Sequence, residues 1–129
     1  MVIHSILVVD DDPLICNLIT RNLGSAGYSV SSAGGAREAL RDLDRKPVDL
    51  ILTDLLMPDG DGFELIFALR KSYPDVRVIA MTGGGCVGAD TYLTIARGIR
   101  VDGILHKPFM RDQLLEALEA AKERLSVPA

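Results

Sequence analysis

Polar residues that can carry or bind charge close four apolar runs of the sequence. They are Asp10 and Asp11 after the first run, then Asp54, Thr82 and Lys107. An apolar run of four or five residues with such an ending is typical of a buried strand. The carboxyl end of that strand reaches the rim of a sheet, where α/β proteins place their chemistry. The sequence therefore predicts three carboxylates, one hydroxyl and one ammonium at one edge of a sheet.

This set of groups is suited to phosphoryl transfer. Three carboxylates at one edge repel one another, so they require a compensating cation. Mg²⁺ meets this need because it takes oxygen ligands and keeps water in its remaining positions. Lys107 adds a second positive charge, and the Thr82 hydroxyl can bond an anion. Phosphoryl transfer depends mostly on positioning and charge neutralisation of this kind.

Taken one at a time, the same residues have plain structural explanations. Paired aspartates after a strand are often turn formers or helix caps. Asp12 is predicted to be such a cap, because Pro13 suits the first position of a helix. Only the joint placement of the acids, the hydroxyl and the ammonium at strand ends favours a functional interpretation.

Hydrophobic periodicity switches between strand-like and helix-like spacing about five times along the chain. The predicted elements are β1 (5–9), α1 (13–25), β2 (28–33), α2 (36–43), β3 (50–53), α3 (62–72), β4 (77–81), α4 (89–97), β5 (103–106) and α5 (110–125). This alternation implies an α/β fold: a doubly wound parallel sheet with right-handed crossovers and helices on both faces.

In combination, these motifs resemble the response-regulator receiver domain of two-component signalling. The matching segments are Asp10-Asp11, Asp54-Leu55-Leu56-Met57-Pro58, Gly60-Asp61-Gly62, Thr82 and Lys107-Pro108-Phe109. The resemblance implies a flavodoxin-like (βα)5 fold with strand order 2-1-3-4-5. It also implies a single receiver domain with a core over about residues 5–125 and no output domain.

The resemblance further assigns roles to the residues at the sheet edge. Asp54 is expected to be the phospho-acceptor. Thr82 and Lys107 are expected to contact the phosphoryl oxygens. The expected ligands of Mg²⁺ are Asp10, Asp11, Asp54 and the Leu56 backbone carbonyl. The expected phosphodonor is a sensor histidine kinase or a phosphotransfer protein. The α4–β5–α5 face is expected to switch binding of a downstream output protein. No enzymatic turnover is expected beyond self-phosphorylation and slow autodephosphorylation.

Composition restricts the protein to a few classes. A chain of 129 residues that is 48% hydrophobic can form one core and no more. A net charge of −4 disfavours nonspecific nucleic-acid binding. No run approaches the roughly 18 apolar residues of a membrane span, and no signal peptide is recognisable. We expect a cytoplasmic protein without membrane insertion, either a monomer or a weak dimer.

An enzyme of another family is the main alternative. The apolar run followed by Asp10-Asp11-Asp12 also matches the start of haloacid-dehalogenase-like phosphatases, with Asp10 as nucleophile and Asp12 as general acid. Thr82 and Lys107 would then supply that family's second and third motifs. Pro13-Leu14 follows where that motif expects a small or hydroxylated residue, and the alternative gives the segment 54–62 no role.

Three further motifs have weaker support. Residues 83–88 match the G-x-G-x-x-G dinucleotide pattern, but the following strand lacks the acidic ending that this pattern requires. Residues 59–62 lack the spaced oxygens of a calcium loop. A zinc site has the right number of ligands without their usual spacing. Its ligands would be His4, Cys16, Cys86 and His106.

One position departs from the family pattern. Many receivers carry a Tyr or Phe three residues before the lysine, where this chain has Ile104. A β-branched aliphatic residue has few rotamers and no ring to bury. The usual aromatic switch is therefore in doubt, and the simpler interpretation is that Ile104 is an ordinary strand residue without a special role.

Overall fold

The computed structural model describes residues 2–55, 62–82 and 101–123 of the chain. Its strands are β1 (Ser5–Val9), β2 (Ser29–Ala33), β3 (Leu50–Asp54), β4 (Arg77–Thr82) and β5 (Gly103–His106). Its helices are α1 (Pro13–Ser25), α2 (Ala36–Arg45), α3 (Gly62–Ser72) and α5 (Arg111–Lys122). The predicted α4, the glycine-rich segment 83–88 and Leu56 lie outside the described residues.

The five strands form one parallel sheet in the order β2-β1-β3-β4-β5. This confirms the predicted strand order. Each parallel connection must cross over the sheet, so the helices cover its faces. All carboxyl ends of the strands consequently lie at one edge, which is the edge that carries the polar residues identified in the sequence.

Two apolar layers hold the helices against the sheet. Alternate strand residues point to opposite faces, so Leu7 and Val9 belong to one layer whereas Ile6 and Val8 belong to the other. The first layer packs against α2 and α3, and the second packs against α1 and α5. The central strands are buried on both sides, which explains why they appear in the sequence as continuous apolar runs.

Local signals set the ends of α1 as the sequence predicted. The Asp12 carboxylate accepts a hydrogen bond from the Leu14 backbone N–H at 2.9 Å, and Pro13 occupies the first turn. At the other end Gly27 has φ of 101°, a conformation that glycine adopts without strain. Capping by Asp12 is therefore confirmed.

Some predicted boundaries were wrong by one to three residues, and the largest difference is at the end of α5, which lies at Lys122 and not at residue 125. The N–H of Tyr28 bonds back to the carbonyl of Leu23, so β2 begins one residue later than predicted. Helix α2 continues two residues past its predicted end, to Arg45, because Asp44 and Arg45 are polar and leave no trace in the hydrophobic pattern. Helix α5 begins at Arg111, since Met110 is its N-cap and bonds the Gln113 side chain.

No helix in the described ranges has the length and apolar character to cross a membrane.

Candidate functional site

The predicted acidic residues meet at the carboxyl edge of the two central strands. Asp10 follows β1, and its N–H bonds the carbonyl of Ala33 at the end of β2 at 3.1 Å. Asp54 is the last residue of β3. One carboxylate oxygen from each of Asp10, Asp11 and Asp54 lies within 4.8 Å of the other two. Asp10 and Asp54 are buried, whereas Asp11 is exposed.

Lys107 joins this acidic group from β5, two strands away from β3. Its Nζ lies 2.5 Å from Asp10 Oδ2 and 3.2 Å from Asp54 Oδ2. The backbone fixes the approach, because the Lys107 N–H donates to the Thr82 carbonyl at 2.8 Å. The peptide bond that follows, to Pro108, is cis. The ammonium therefore bridges two of the three carboxylates.

The electrostatic balance around Lys107 favours its charged form. Partial burial by itself would lower the pKa of Lys107, but the hydrogen bond and charge of Asp10, followed by the charge of Asp54, raise it above its ordinary value. The lysine is therefore fully protonated at neutral pH. A permanent positive charge is what two buried carboxylates need for compensation.

The three residues of the acidic run Asp10-Asp11-Asp12 have different roles, some at the site and one at the start of helix α1. The other oxygen of Asp10 accepts the N–H of Asp12 at 2.9 Å, which orients its carboxylate. The Asp12 side chain is committed to Leu14 at the start of α1. Asp10 and Asp11 therefore face the site, whereas Asp12 supports the helix beside it.

Thr82 also lies where the sequence predicted, at the end of β4. It is 1% exposed, and its hydroxyl lies 3.5 Å from Nδ1 of His106 on the neighbouring strand. The sequence analysis gave His106 no role in this site. No local pattern in the sequence could have identified it, because the contact depends on the register that makes Thr82 and His106 partners on neighbouring parallel strands.

Gly62 is a second residue whose role could not be read from the sequence. A β-carbon at this position would lie 2.1 Å from the backbone oxygen of Asp54 and 2.8 Å from Cα of Leu55. Its N–H donates to the Leu55 carbonyl at 2.9 Å. The start of α3 therefore rests directly on the backbone of Asp54, and only glycine allows this approach.

The zinc alternative is wrong for the residues that can be compared. His4 precedes β1 at the amino edge of the sheet, whereas His106 ends β5 at the carboxyl edge. The thiol of Cys16 donates to the Asp10 carbonyl at 3.5 Å. Burial, and then the negative charge of Asp10, raise the pKa of this thiol above its ordinary value and disfavour the metal-binding thiolate. Cys86 lies outside the described residues.

The donor atoms fit a hard divalent cation. The three clustered ligands are carboxylate oxygens, which Mg²⁺ and similar ions prefer over nitrogen or sulfur ligands. The exposure of Asp11 leaves room for water, which Mg²⁺ retains in its coordination sphere. The acidic pocket is thus able to hold a metal ion.

Fold and site together define a class of protein: a doubly wound sheet with a clustered acidic site and a bridging lysine at its carboxyl edge. A family model described as the response regulator receiver domain matches residues 6–119. The chain belongs to the response regulator receiver domain family. The resemblance found in the sequence motifs is confirmed.

Relatives of known sequence support the same conclusion. The chain is 39% identical over 124 residues to the transcriptional regulatory protein GlrR of Escherichia coli, covering 96% of this chain and 27% of that protein. It is 35% identical over 131 residues to the DNA-binding transcriptional regulator NtrC of a Bradyrhizobium species, covering 97% of this chain and 26% of that protein. The chain thus spans about a quarter of the length of these relatives.

Solved structures show the same fold. The chemotaxis protein CheY4 of Vibrio cholerae superimposes with a TM-score of 0.81 at 30% identity, covering 93% of this chain and 99% of that one. A signal receiver domain of an HD domain-containing protein from Pseudomonas fluorescens gives a TM-score of 0.85 at 27% identity, covering 95% and 96%. These comparisons favour the receiver function and give no support to the phosphatase alternative.

Proposed function

We propose that the chain accepts a phosphoryl group on Asp54 and uses the resulting acyl phosphate to control partner binding. The observation that carries this proposal is the arrangement of Asp10, Asp11 and Asp54 within 4.8 Å, with the Lys107 ammonium bridging Asp10 and Asp54. Asp54 ends the central strand β3, so strands β1 and β4 lie on either side of it.

In the proposed reaction, a carboxylate oxygen of Asp54 attacks the phosphorus of a phosphohistidine. A phosphorus–oxygen bond forms, the phosphorus–nitrogen bond breaks, and the released imidazole takes up a proton from solvent. Negative charge then lies on the phosphoryl oxygens, within reach of the Lys107 ammonium that already contacts Asp54. The Thr82 hydroxyl would donate a hydrogen bond to one of these oxygens.

Three carboxylates from the described residues would hold Mg²⁺: Asp10, Asp11 and Asp54. We propose the Leu56 backbone carbonyl as a further ligand, although it lies outside the described residues. When bound, the ion would neutralise charge on the transferring phosphoryl oxygens. The partial exposure of the pocket at Asp11 would let a phosphodonor approach from solvent.

The proposed partners follow from the chemistry of the acceptor. The donor would be a phosphohistidine on a sensor kinase or phosphotransfer protein, and a small acyl phosphate could replace it. Output would pass through the face formed by the predicted α4, β5 and α5 to a downstream protein. No turnover beyond self-phosphorylation and slow loss of the phosphoryl group is proposed.

The acceptor assignment is tested by intact-mass spectrometry after incubation with acetyl phosphate and Mg²⁺. The unaltered protein should gain one phosphoryl group, and a metal chelator should prevent this gain. Asp54→Asn keeps the shape of the side chain but lacks the nucleophile, so it should gain nothing. Asp75→Asn, at an exposed position away from the site, is the matched control and should be labelled like the unaltered protein.

The same labelled protein also distinguishes the proposed function from the phosphatase alternative. Peptide mapping of the labelled protein should place the phosphoryl group on Asp54. Label on Asp10, together with catalytic release of phosphate from a small phosphate ester, would contradict the proposal and support a phosphatase with Asp10 as nucleophile.

A further inference from the structure

The imidazole of His106 lies beside the hydroxyl that the proposed function directs toward the phosphoryl group. Strands β4 and β5 pair in parallel with Ala80 opposite Ile104 and Thr82 opposite His106. Successive residues of a strand alternate between faces, so Ile104 and His106 lie on the same face as Ala80 and Thr82. The ring next to the hydroxyl therefore belongs to His106.

The two side chains differ in their surroundings. Thr82 is almost completely buried, whereas His106 is exposed at the rim of the sheet. Their polar atoms, Oγ1 and Nδ1, are 3.5 Å apart, at the outer limit for a hydrogen bond. Ile104, two residues earlier on the same face, packs into the apolar layer beneath α2 and α3, and its side chain has no polar atom.

We propose that His106, in the tautomer whose Nδ1 carries no proton, is a positioning residue that accepts the hydrogen bond of the Thr82 hydroxyl until Asp54 is phosphorylated. A phosphoryl oxygen is a charged acceptor and binds a hydroxyl more strongly than a neutral imidazole nitrogen does. The hydroxyl would therefore leave His106 and donate to the phosphoryl group. The His106 ring thus loses its hydrogen bond with Thr82 in the phosphorylated state, and the conformation of the exposed carboxyl end of β5 changes with it.

This inference rests on the proposed function, because it requires an acyl phosphate on Asp54. It assigns to the Thr82–His106 pair the coupling that an aromatic residue at position 104 performs in many receivers. Since His106 lies on the solvent-exposed rim, the change would be presented to a partner at the surface without burial of a large ring.

The test is nitrogen-15 NMR of the histidine rings with Mg²⁺ and beryllofluoride, which mimics a phosphoryl group. The free and the bound samples are kept at the same pH, so that they differ only in the bound group. The chain has two histidines, and His4 at the amino edge is an internal control. We expect the Nδ1 resonance of His106 to shift on binding while that of His4 stays in place.

Fluorine-19 NMR of the same samples reports whether beryllofluoride is bound. No bound fluorine signal would overturn the proposed function and this inference together. A bound signal with an unmoved His106 resonance would overturn the inference alone. Thr82→Val lacks the hydroxyl that would contact the mimic, so it should bind beryllofluoride more weakly and is measured at saturation, as judged from the fluorine signal. At saturation the His106 resonance should no longer respond; a full response there would contradict the proposed coupling.

Substitutions at position 106 give a second readout. The Asn side chain of His106→Asn carries an oxygen that can accept the Thr82 hydroxyl, whereas His106→Leu offers no acceptor. Beryllofluoride should bind His106→Leu about 3- to 10-fold more tightly, since the hydrogen bond to His106 no longer has to break, and His106→Asn should stay near the unaltered protein. In the Thr82→Val background this difference should vanish. An equal effect of His106→Leu in both backgrounds would show a purely structural role and overturn the inference.

Discussion

At the scale of single residues, the central feature is a lysine shared by two carboxylates. Asp10 is 1% exposed in its side chain, and Lys107 Nζ lies 2.5 Å from it. A buried carboxylate without a partner costs several kcal/mol, so this ammonium stabilises the fold before any phosphoryl group arrives. Lys107 therefore has a structural role as well as the proposed functional one.

This leads to a prediction for Lys107→Met, which keeps the length of the side chain but removes its charge. The free energy of unfolding should fall by about 1–3 kcal/mol, because two carboxylates then face each other without compensation. Lys122→Met is the matched control, since that lysine pairs with an exposed Glu119 and should cost less than about 1 kcal/mol. Urea denaturation measures both, and equal losses would contradict the special role of Lys107.

The neighbouring acids Asp11 and Asp12 should respond differently to substitution. Asp11→Ala removes one of three clustered carboxylates and should weaken Mg²⁺ binding on the order of tenfold. Asp12→Ala removes the cap of α1, so it should cost about 1 kcal/mol of stability and leave metal affinity nearly unchanged. Calorimetric titration and thermal unfolding separate the two effects. Equal weakening of metal binding would show that both acids face the site.

At the scale of elements, the β3–α3 connection depends on the absence of a side chain at Gly62. Gly62→Ala places a β-carbon against the backbone of Asp54 and Leu55, which cannot move without shifting β3. We expect a loss of stability of more than about 1 kcal/mol, together with slower labelling by acetyl phosphate. Urea denaturation and intact-mass spectrometry provide the two measurements.

Gly24 is the matched control for this substitution. It lies in α1, and a β-carbon there would have no neighbour within 4 Å. Gly24→Ala should therefore raise the free energy of unfolding by about 0.5–1 kcal/mol, because alanine favours a helix more than glycine does. A tolerated Gly62→Ala would mean that α3 can move away from Asp54 at little cost.

At the amino edge of the sheet, the Asp49 carboxylate connects the start of β3 to the start of β1 by hydrogen bonds. One Asp49 oxygen accepts the backbone N–H groups of His4 and Ser5 at 2.8 and 3.1 Å. The hydrogen bond from the His4 backbone, followed by that from Ser5, lowers the pKa of Asp49 against the opposing effect of burial. The carboxylate is thus more acidic in the folded chain than in the unfolded chain.

A pH dependence follows from this lowered pKa. The stabilisation is fully present above the unfolded pKa, near pH 4, and is lost as the pH falls through the lower folded value. Asp49→Asn should therefore be less stable than the unaltered protein at pH 7, and the two should converge in strongly acidic solution. Urea unfolding at a series of pH values checks this, and a constant difference down to pH 2 would contradict the assignment.

At the scale of the whole molecule, the sheet is strongest at its centre. Strands β1 and β3 are paired on both sides and nearly all their residues are buried, whereas β2 is an edge strand with exposed Ser29, Ser31 and Ser32. Asp10 and Asp54 extend from β1 and β3, so the acidic cluster lies on the two strands that are paired on both sides. The exposed strand contributes the Ala33 carbonyl that bonds the N–H of Asp10.

Amide hydrogen exchange should reproduce this gradient. Backbone amides of β1 and β3 should exchange only through global unfolding, whereas the outward-facing amides of β2 should exchange faster by local opening. Mass spectrometry of peptic fragments, or NMR of individual amides, provides the measurement. Uniform protection across all strands would mean that the edge strand opens only with the whole sheet.

The sequence by itself determined the α/β class, the order of the described elements and the edge at which the acids meet. Hydrophobic periodicity is a local property, and the capping signals Asp12 and Pro13 act over a few residues, so both can be read directly. Once a parallel sheet is inferred, all strand ends must share one edge. That step places Asp10, Asp54 and Lys107 near one another without any coordinates.

Only the tertiary structure decided which atoms meet. The contact of Lys107 with Asp10, the approach of Gly62 to Asp54 and the contact of His106 with Thr82 depend on strand register and helix docking. These are set by how side chains of distant segments pack, which no local pattern records. A shift of register by one residue would move His106 to the opposite face of the sheet and separate it from Thr82.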